Sequence, residues 1–497
     1  MRVIDLVAGF CDEIEKIALV NTELQPHQQR VVDKIQRPDQ PGLVVAHGLG
    51  SGKTLTSIAA QEALGMPADV VVPASLQANY QKEVAKHTKG ESYERSIQSM
   101  QNIATKRQKP SRQMLIVDEA HRARDPGSKT YQTLSKNKAE KRLLLTGSPF
   151  YNHPVDVAPL VNMAAGENVL PANQQEFDRQ YVAQRKISPS ILGTLRGIQP
   201  GSVPVLNKRR EGELKETFGK WIDHHPSSSE EFPSVERENI NVEMTPEQMG
   251  VYETILGRAP SWVSYKIRKG LPPNKREAQQ LNAFLTGVRQ VSNTTGPFQP
   301  EEAAQDPKIQ KAYENLKEYL DKNPKAKAVV YSNFLDSGLD PYKAKLEASG
   351  IPYGEFTGEM PKAQRDALVK QYNEDKIRAL LLSSAGGEGL DLKGTRLMQI
   401  LDPHWNDEKI KQVEGRGVRF RSHADLPEED RKVLIQRYLA TRPRMSILEK
   451  ARLKKPGGSV DEYLAQRSAE KERLIGQFRA LLPQETAPRK HSDSSSL

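Results

Sequence analysis

Short, mostly apolar runs punctuate the first part of the chain at residues 43–46, 69–73, 114–117 and 142–145. They lack the alternation of a half-exposed strand, so they predict strands buried on both faces, as in a parallel sheet. Between them the spacing turns helical. Residues 54–64 are apolar at Leu55, Ile58, Ala59 and Leu64, and Gly65 follows where a helix would stop. The same grammar restarts with runs at 328–331, 379–382 and 397–401. A helix is expected over 341–348, ended by Gly350, and another is opened by Pro361 in a favoured first-turn position. The fold class that follows is α/β, with two separate parallel-sheet lobes.

The stretch between the lobes reads differently. Residues 224–234 are polar and rich in Ser and Pro, which predicts a linker. Residues 245–293 have largely helical spacing with basic Lys266, Arg268, Lys269, Lys275 and Arg276, a pattern open to either a solvated surface or a nucleic-acid contact. Towards the C-terminus, Ser459 and Glu462 form a capping-box pattern. It starts a long helix with Leu464, Leu474, Ile475, Phe478 and Leu481 on its apolar face. The basic segment before it, from Arg442 and Arg444 to Lys454 and Lys455, is open to a phosphate contact or a solvated loop. The expected domains are a first lobe over 1–224, a linker and helical insertion over 225–306, a second lobe with the C-terminal helix over 307–484, and a disordered Ser-rich tail over 485–497.

Composition narrows the class. A chain of 497 residues exceeds what one core organises, and 36% apolar with 27% charged residues describes a globular protein with much solvated surface. No apolar run of about 18 residues offers a membrane span. The first 20 residues are broken by Asp5, Asp12, Glu13, Glu15 and Lys16, unlike a signal peptide. Cys11 is the sole cysteine, which excludes an internal disulfide and a multi-Cys zinc site and fits a reducing compartment, expected to be the cytoplasm of a bacterial or virus-infected host cell with the nucleus left open. The formal charge of +10 favours a polyanionic partner.

The first run leads straight into His47-Gly48-Leu49-Gly50-Ser51-Gly52-Lys53-Thr54 and then a helix. Strand, glycine-rich loop and helix is the order a phosphate cradle needs, because glycines let N–H groups turn inward and the helix N-terminus adds its dipole. Lys53 is expected on the β- and γ-phosphates of ATP and the Thr54 hydroxyl on Mg²⁺. His47 stands where the pattern usually has a glycine, leaving Gly48, Gly50 and Gly52 for the turn. Asp118-Glu119-Ala120-His121 follows the third run, so both acids lie at a strand end, where parallel sheets bind ligands. Asp118 is expected to hold Mg²⁺, mostly through water, and Glu119 to orient and deprotonate the attacking water.

With these motifs in place the chain resembles superfamily-two helicases, and within them Swi/Snf-like DNA translocases with the related poxvirus and phage ATPases. Residues 24–28, Leu-Gln-Pro-His-Gln, resemble the glutamine motif, which implies Gln28 on adenine. Residues 73–76 with Asn79 and Glu83 are similar to the first DNA-contacting motif, which implies Ser75 and Asn79 as contacts. Residues 145–149 resemble the coupling motif and imply that role for Thr146 and Ser148. In the second lobe, residues 330–334 and 356–358 resemble DNA-facing motifs through Ser332 and Thr357. Residues 383–392 resemble the fifth motif, which brings in Ser384 and Gly387, and residues 402–406 the strand-end element. Gln412-Val413-Glu414-Gly415-Arg416-Gly417-Val418-Arg419 is similar to the finger helix. The resemblance implies Gln412 among the nucleotide residues and Arg416 and Arg419, which at a spacing of three share one helix face, on the γ-phosphate across the lobe interface.

The resemblance implies an ATP- and Mg²⁺-dependent motor on DNA, duplex favoured over single strand. Alternatives are an RNA helicase, a terminase-type motor, which would need a cluster of nuclease carboxylates, and an inactive binding module, against which Lys53, Glu119, Arg416 and Arg419 stand.

Overall fold

The structure, a computed structural model, describes residues 22–48, 50–88, 93–106, 110–226, 233–358, 360–383, 392–403, 413–415, 418, 422–443 and 457–483. The chain forms two compact units. The first holds Met1–Ala183, Val205–Ser228 and Leu474–Leu497, and the second holds Gln184–Pro204 and Ser229–Arg473.

In chain order come strands β1 (Gly42–His47), β2 (Ala68–Val72), β3 (Arg95–Ser99), β4 (Met114–Val117) and β5 (Lys141–Thr146). A two-stranded pair follows, β6 (Val182–Ile187) and β7 (Gly201–Leu206), and then β8 (Ile222–His225). The first unit's sheet has the order β3-β2-β4-β5-β1-β8 with every neighbour parallel. Its central strands are largely apolar because both faces are covered. Leu43 and Val45 face helices Pro26–Gln36, Lys53–Leu64 and Gln77–His87, through residues such as Val31, Ile58 and Tyr80. Val44 and Ala46 face the opposite layer, built from helix Val157–Ala165, Phe218 and the end of the C-terminal helix at Leu474, Ile475 and Phe478. Lys53–Leu64 stops at Gly65, whose φ of 66° closes the helix in the left-handed region.

The second unit repeats the plan with β9 (Ser234–Glu243), β10 (Lys327–Ser332), β11 (Tyr353–Phe356), β12 (Ala379–Ser383), β13 (Thr395–Ile400) and β14 (Lys432–Thr441). The order is β11-β12-β10-β13-β14-β9, again all parallel. Ala328 and Val330 face one core layer, Val329 and Tyr331 the other. β9 begins at the last residue of the segment read as a linker. It is mostly exposed, so its sequence has no apolar run, and its ten-residue pairing with β14 is what makes it a strand. β14 carries the apolar run Val433, Leu434, Ile435, a signal absent from the expected strands.

Helices Pro246–Gly257, Ser261–Lys269 and Lys275–Asn293 supply the expected helical stretch and lie within this second unit. Their core includes Tyr252, Leu256, Val263, Ile267 and Leu285, joined by Val460, Tyr463 and Leu464 from the C-terminal helix. That helix, Val460–Arg479, starts with the expected box, since Ser459 N–H donates to Glu462 Oε2 at 2.8 Å and Glu462 N–H to Ser459 Oγ at 3.2 Å. Among the described residues no helix is long and apolar enough to cross a membrane. Cys11, the tail from 485 and the whole of the segment 444–455 lie outside the described residues.

Candidate functional site

β1 ends at the C-terminal edge of its sheet, and the chain turns through residues 48–52 into Lys53–Leu64. Gly50 and Gly52 have φ of 78° and 73°, in the left-handed region that side chains avoid. Gly52 is doubly constrained, because a Cβ there would run into Gln28 Nε2. The loop is pinned from several sides. Gly48 N–H donates to His225 O at 2.8 Å, Ser51 Oγ to Gly48 O at 2.7 Å, and Gln28 Nε2 to Ser51 O at 3.0 Å. Gln28 Oε1 accepts from Gln25 N–H at 2.9 Å, so this buried amide, expected at adenine, braces the loop here. Lys53 Nζ donates to the His47 and Gly48 carbonyls at 3.0 Å each. Burial pushes its pKa down, against the upward pull of Glu119 and Asp118.

His47, at the position usually glycine, is fully buried and turned away from the loop. Its Nε2 lies 2.7 Å from Asp223 Oδ1 on β8, and Arg30 grips the same carboxylate through Nε and Nη2 at 2.9 Å each. His27 stacks on His225 at 3.8 Å between ring centroids, with its Nε2 2.9 Å from Ser51 O. Burial works against the charge on Asp223, but the hydrogen bonds from His47 and Arg30 win and hold its pKa down at about 2. A carboxyl lowered from 3.8 stabilises the fold above about pH 4 and loses that contribution as pH falls towards 2. The shift corresponds to roughly 2 kcal/mol. We expect Asp223→Asn to cost about that much at pH 7 in urea unfolding, with the gap to wild type narrowing at pH 3. A gap of equal size at both pH values would remove this account of the cluster.

β4 delivers the acidic pair to the same sheet edge. Asp118 is buried, and Glu119 N–H donates to its Oδ1 at 2.9 Å. Burial, then the neighbouring Glu119 charge, raise the Asp118 pKa to about 6, while Lys53 pulls it down. Glu119 itself has φ 50° and ψ 44°, a left-handed backbone costing about 1–3 kcal/mol for such a residue and concentrated at functional sites. Its Oε2 lies 3.2 Å from His121 Nδ1, and Thr146 Oγ1 lies 3.4 Å from the same nitrogen. Burial, helped by Arg124, Arg122 and Lys53, lowers the His121 pKa to about 4, so the ring is a neutral link near pH 7. Thr146 Oγ1 donates to Ser148 O at 2.8 Å, and Ser148 Oγ to Phe150 O at 2.7 Å. His121 also stacks on Tyr151, over which Arg124 sits at 4.1 Å. Glu119, His121, Thr146 and Ser148 form one contact path from the end of β4 to the loop after β5. His121, in sequence only the last residue of the acidic motif, is its hinge.

Family sequence patterns match along most of the chain: the SNF2-related domain over residues 91–296, the helicase conserved C-terminal domain over 311–421, and the res subunit of type III restriction enzymes over 21–151. The chain belongs to the Swi/Snf-like branch of superfamily-two helicases. It is a nucleic-acid-dependent ATPase. A protein of Acanthamoeba polyphaga mimivirus, an ATP-dependent RNA helicase by designation, is 29% identical over 92% of this chain and 96% of its own. A termination factor NPH-I homolog of African swine fever virus is 24% identical over 89% of this chain and 75% of its own. The solved SWI2/SNF2 ATPase core of Sulfolobus solfataricus, in complex with dsDNA, is 18% identical over 94% of this chain and 98% of its own, with a TM-score of 0.35.

The expected nucleic-acid residues of this Swi/Snf-like chain differ in accessibility. Ser332 is fully buried, and its Oγ donates to Asp402 Oδ1 at 2.6 Å, so it supports the strand end and does not offer a contact surface. Asp402 also accepts from Asn333 N–H at 2.8 Å, Asn333 Nδ2 at 2.7 Å and Asn293 Nδ2 at 2.9 Å. That hub at the C-terminal ends of β10 and β13 was quoted in sequence only as part of a strand-end element. Thr357 is half-buried just beyond β11, and Asn79 is exposed on Gln77–His87. Lys266 leaves the basic patch. It is fully buried, with Nζ 2.5 Å from Glu277 and 3.3 Å from Pro272 O, because helix packing turned it inward. Arg268 pairs with Glu253. Ser384, Gly387, Gln412, Arg416 and Arg419 lie outside the described residues, as does the side chain of Ser75.

Proposed function

We propose that this chain couples ATP hydrolysis to movement along duplex DNA. The observation that carries the reading is the path from Glu119 through His121 to Thr146 and Ser148. An ATPase that only hydrolyses has no need to wire its hydrolytic carboxylate to a loop at the next strand end, whereas a motor does. The formal charge of +10 favours a polyanionic track. The SNF2-related match supports DNA as that track, and the viral relatives favour work in an infected host cell.

In this mechanism the loop N–H groups and Lys53 bind the β- and γ-phosphates, and Glu119 orients and deprotonates the attacking water. Asp118 and Thr54 are the residues that would hold Mg²⁺. Hard oxygen donors suit that cation, which usually takes one or two protein ligands and keeps water and phosphate oxygens for the rest. A bound Mg²⁺ supplies charge neutralisation at the phosphates. Gln28 serves nucleotide binding by bracing the loop, Gly387 and Gln412 complete it, and Arg416 and Arg419 stabilise the transferring phosphoryl group. Ser75, Asn79, Thr357 and Ser384 are the proposed DNA-side residues.

The test is the ATPase rate without nucleic acid and with single-stranded DNA, duplex DNA and RNA. Duplex DNA is expected to stimulate most, with stimulation falling as salt rises because phosphate contacts release counterions. Equal or greater stimulation by RNA would favour an RNA helicase, the designation carried by the mimivirus relative.

A further inference from the structure

Residues 182–210 carry Arg185, Lys186, Arg196, Lys208, Arg209 and Arg210 and not one Asp or Glu. Between β6 and β7 this segment makes one short helix, Ile191–Leu195. Ile191, Leu192 and Leu195 are 82%, 67% and 78% exposed. Single exposed apolar side chains are ordinary on protein surfaces, but three on one turn call for a binding role.

The turn is also held firmly. Ser190 Oγ accepts from Gly193 N–H at 3.3 Å and lies 3.0 Å from the hydroxyl of Tyr265 on helix Ser261–Lys269. Gly193 passes so close to Tyr265 that a Cβ would collide with its ring. Ile198 N–H donates back to Gly193 O at 3.1 Å, and Ile198 and Val203 are buried. The segment therefore uses two of its apolar side chains as an anchor and presents three others outward on a fixed base. Arg185, Lys186 and Arg196 are exposed in the same segment.

We propose that this tip is a wedge for duplex DNA. Ile191, Leu192 and Leu195 press against and partly unstack a base step, and Arg185, Lys186 and Arg196 hold the flanking phosphates. Duplex DNA offers both chemistries at once, an anionic rim and a stacked apolar interior, and aliphatic side chains are known to enter it in this way. The proposal rests on the DNA reading above and adds to it a place on the chain and a deformation of the track.

The experiment uses the full chain and duplexes carrying 2-aminopurine at interior positions, whose fluorescence rises when the base unstacks. Wild type should raise the signal on binding. Ile191→Ser/Leu192→Ser/Leu195→Ser should bind duplex with an unchanged salt slope, keep basal ATPase, and lose most of the rise. Arg185→Ala/Lys186→Ala/Arg196→Ala should lower the slope of log affinity against log salt by about 2.7, or about 0.9 per phosphate contact. A wild-type complex of normal affinity with a flat signal, or a serine variant with the full rise, overturns the wedge and leaves the DNA reading standing. So does a wild-type dimer that the serine variant turns into a monomer, since a second copy would then cover the tip. Failure of wild type to bind duplex at all removes both.

Discussion

Glu119→Gln leaves ATP bound and slows its hydrolysis by about 10²–10⁴-fold, the range for loss of a positioned general base. The amide keeps the size of the side chain and can still accept from His121 Nδ1, so the path to Thr146 and Ser148 stays in place. What it loses is the basicity needed to take a proton from water. Nucleotide affinity should hold, because Lys53 and the loop N–H groups are untouched. Equilibrium binding of ATP measured beside single-turnover hydrolysis separates the two. Should ATP binding disappear while each bound ATP is cleaved at the normal rate, Glu119 has been given the wrong role.

Lys308→Met should destabilise the second unit by about 3–5 kcal/mol, the usual cost of stranding one partner of a buried ion pair. Lys308 Nζ lies 2.6 Å from Asp461 Oδ2, and both side chains are fully buried, one on helix Pro307–Lys322 and the other on the C-terminal helix. Asp461 Oδ2 also accepts from Ala440 N–H at 2.9 Å, which ties the pair to β14. Burial already raises the Asp461 pKa, and Lys308 is the first influence opposing it. Without the lysine the folded-state pKa rises further above the unfolded value. Stability of the variant is then greatest at low pH and lost as pH rises, so urea midpoints should separate from wild type more at pH 8 than at pH 5. Lys308→Met/Asp461→Leu removes both charges and should recover most of the loss. If the single variant matches wild type at pH 8, the pair does not hold the C-terminal helix to this sheet.

The phosphate loop, the strand-end acids and the central strands were legible in the sequence because each is a local object. A glycine-rich turn between a strand and a helix N-terminus is written in consecutive residues, and the left-handed backbone at Gly50 and Gly52 needs the glycines that stand there. β1, β4 and β5 are covered on both faces, so burial is written into their side chains. Edge strands carry no such mark. β3, β8 and β9 are strands because a neighbour already in the sheet offers them N–H and C=O groups, and their own side chains are largely polar. Partnerships between distant residues were equally hidden. Nothing near His47 announces Asp223, 176 positions on, and nothing near Lys308 announces Asp461, 153 positions on. Lys266 looked like a surface cation until packing buried it against Glu277, and Ser332 looked like a contact until Asp402 claimed its hydroxyl. The sequence by itself determined the chemistry that contiguous residues perform. Which polar groups are withdrawn to brace that chemistry depends on long-range packing, because a buried charge or hydroxyl must find its partner wherever the fold brings one within reach.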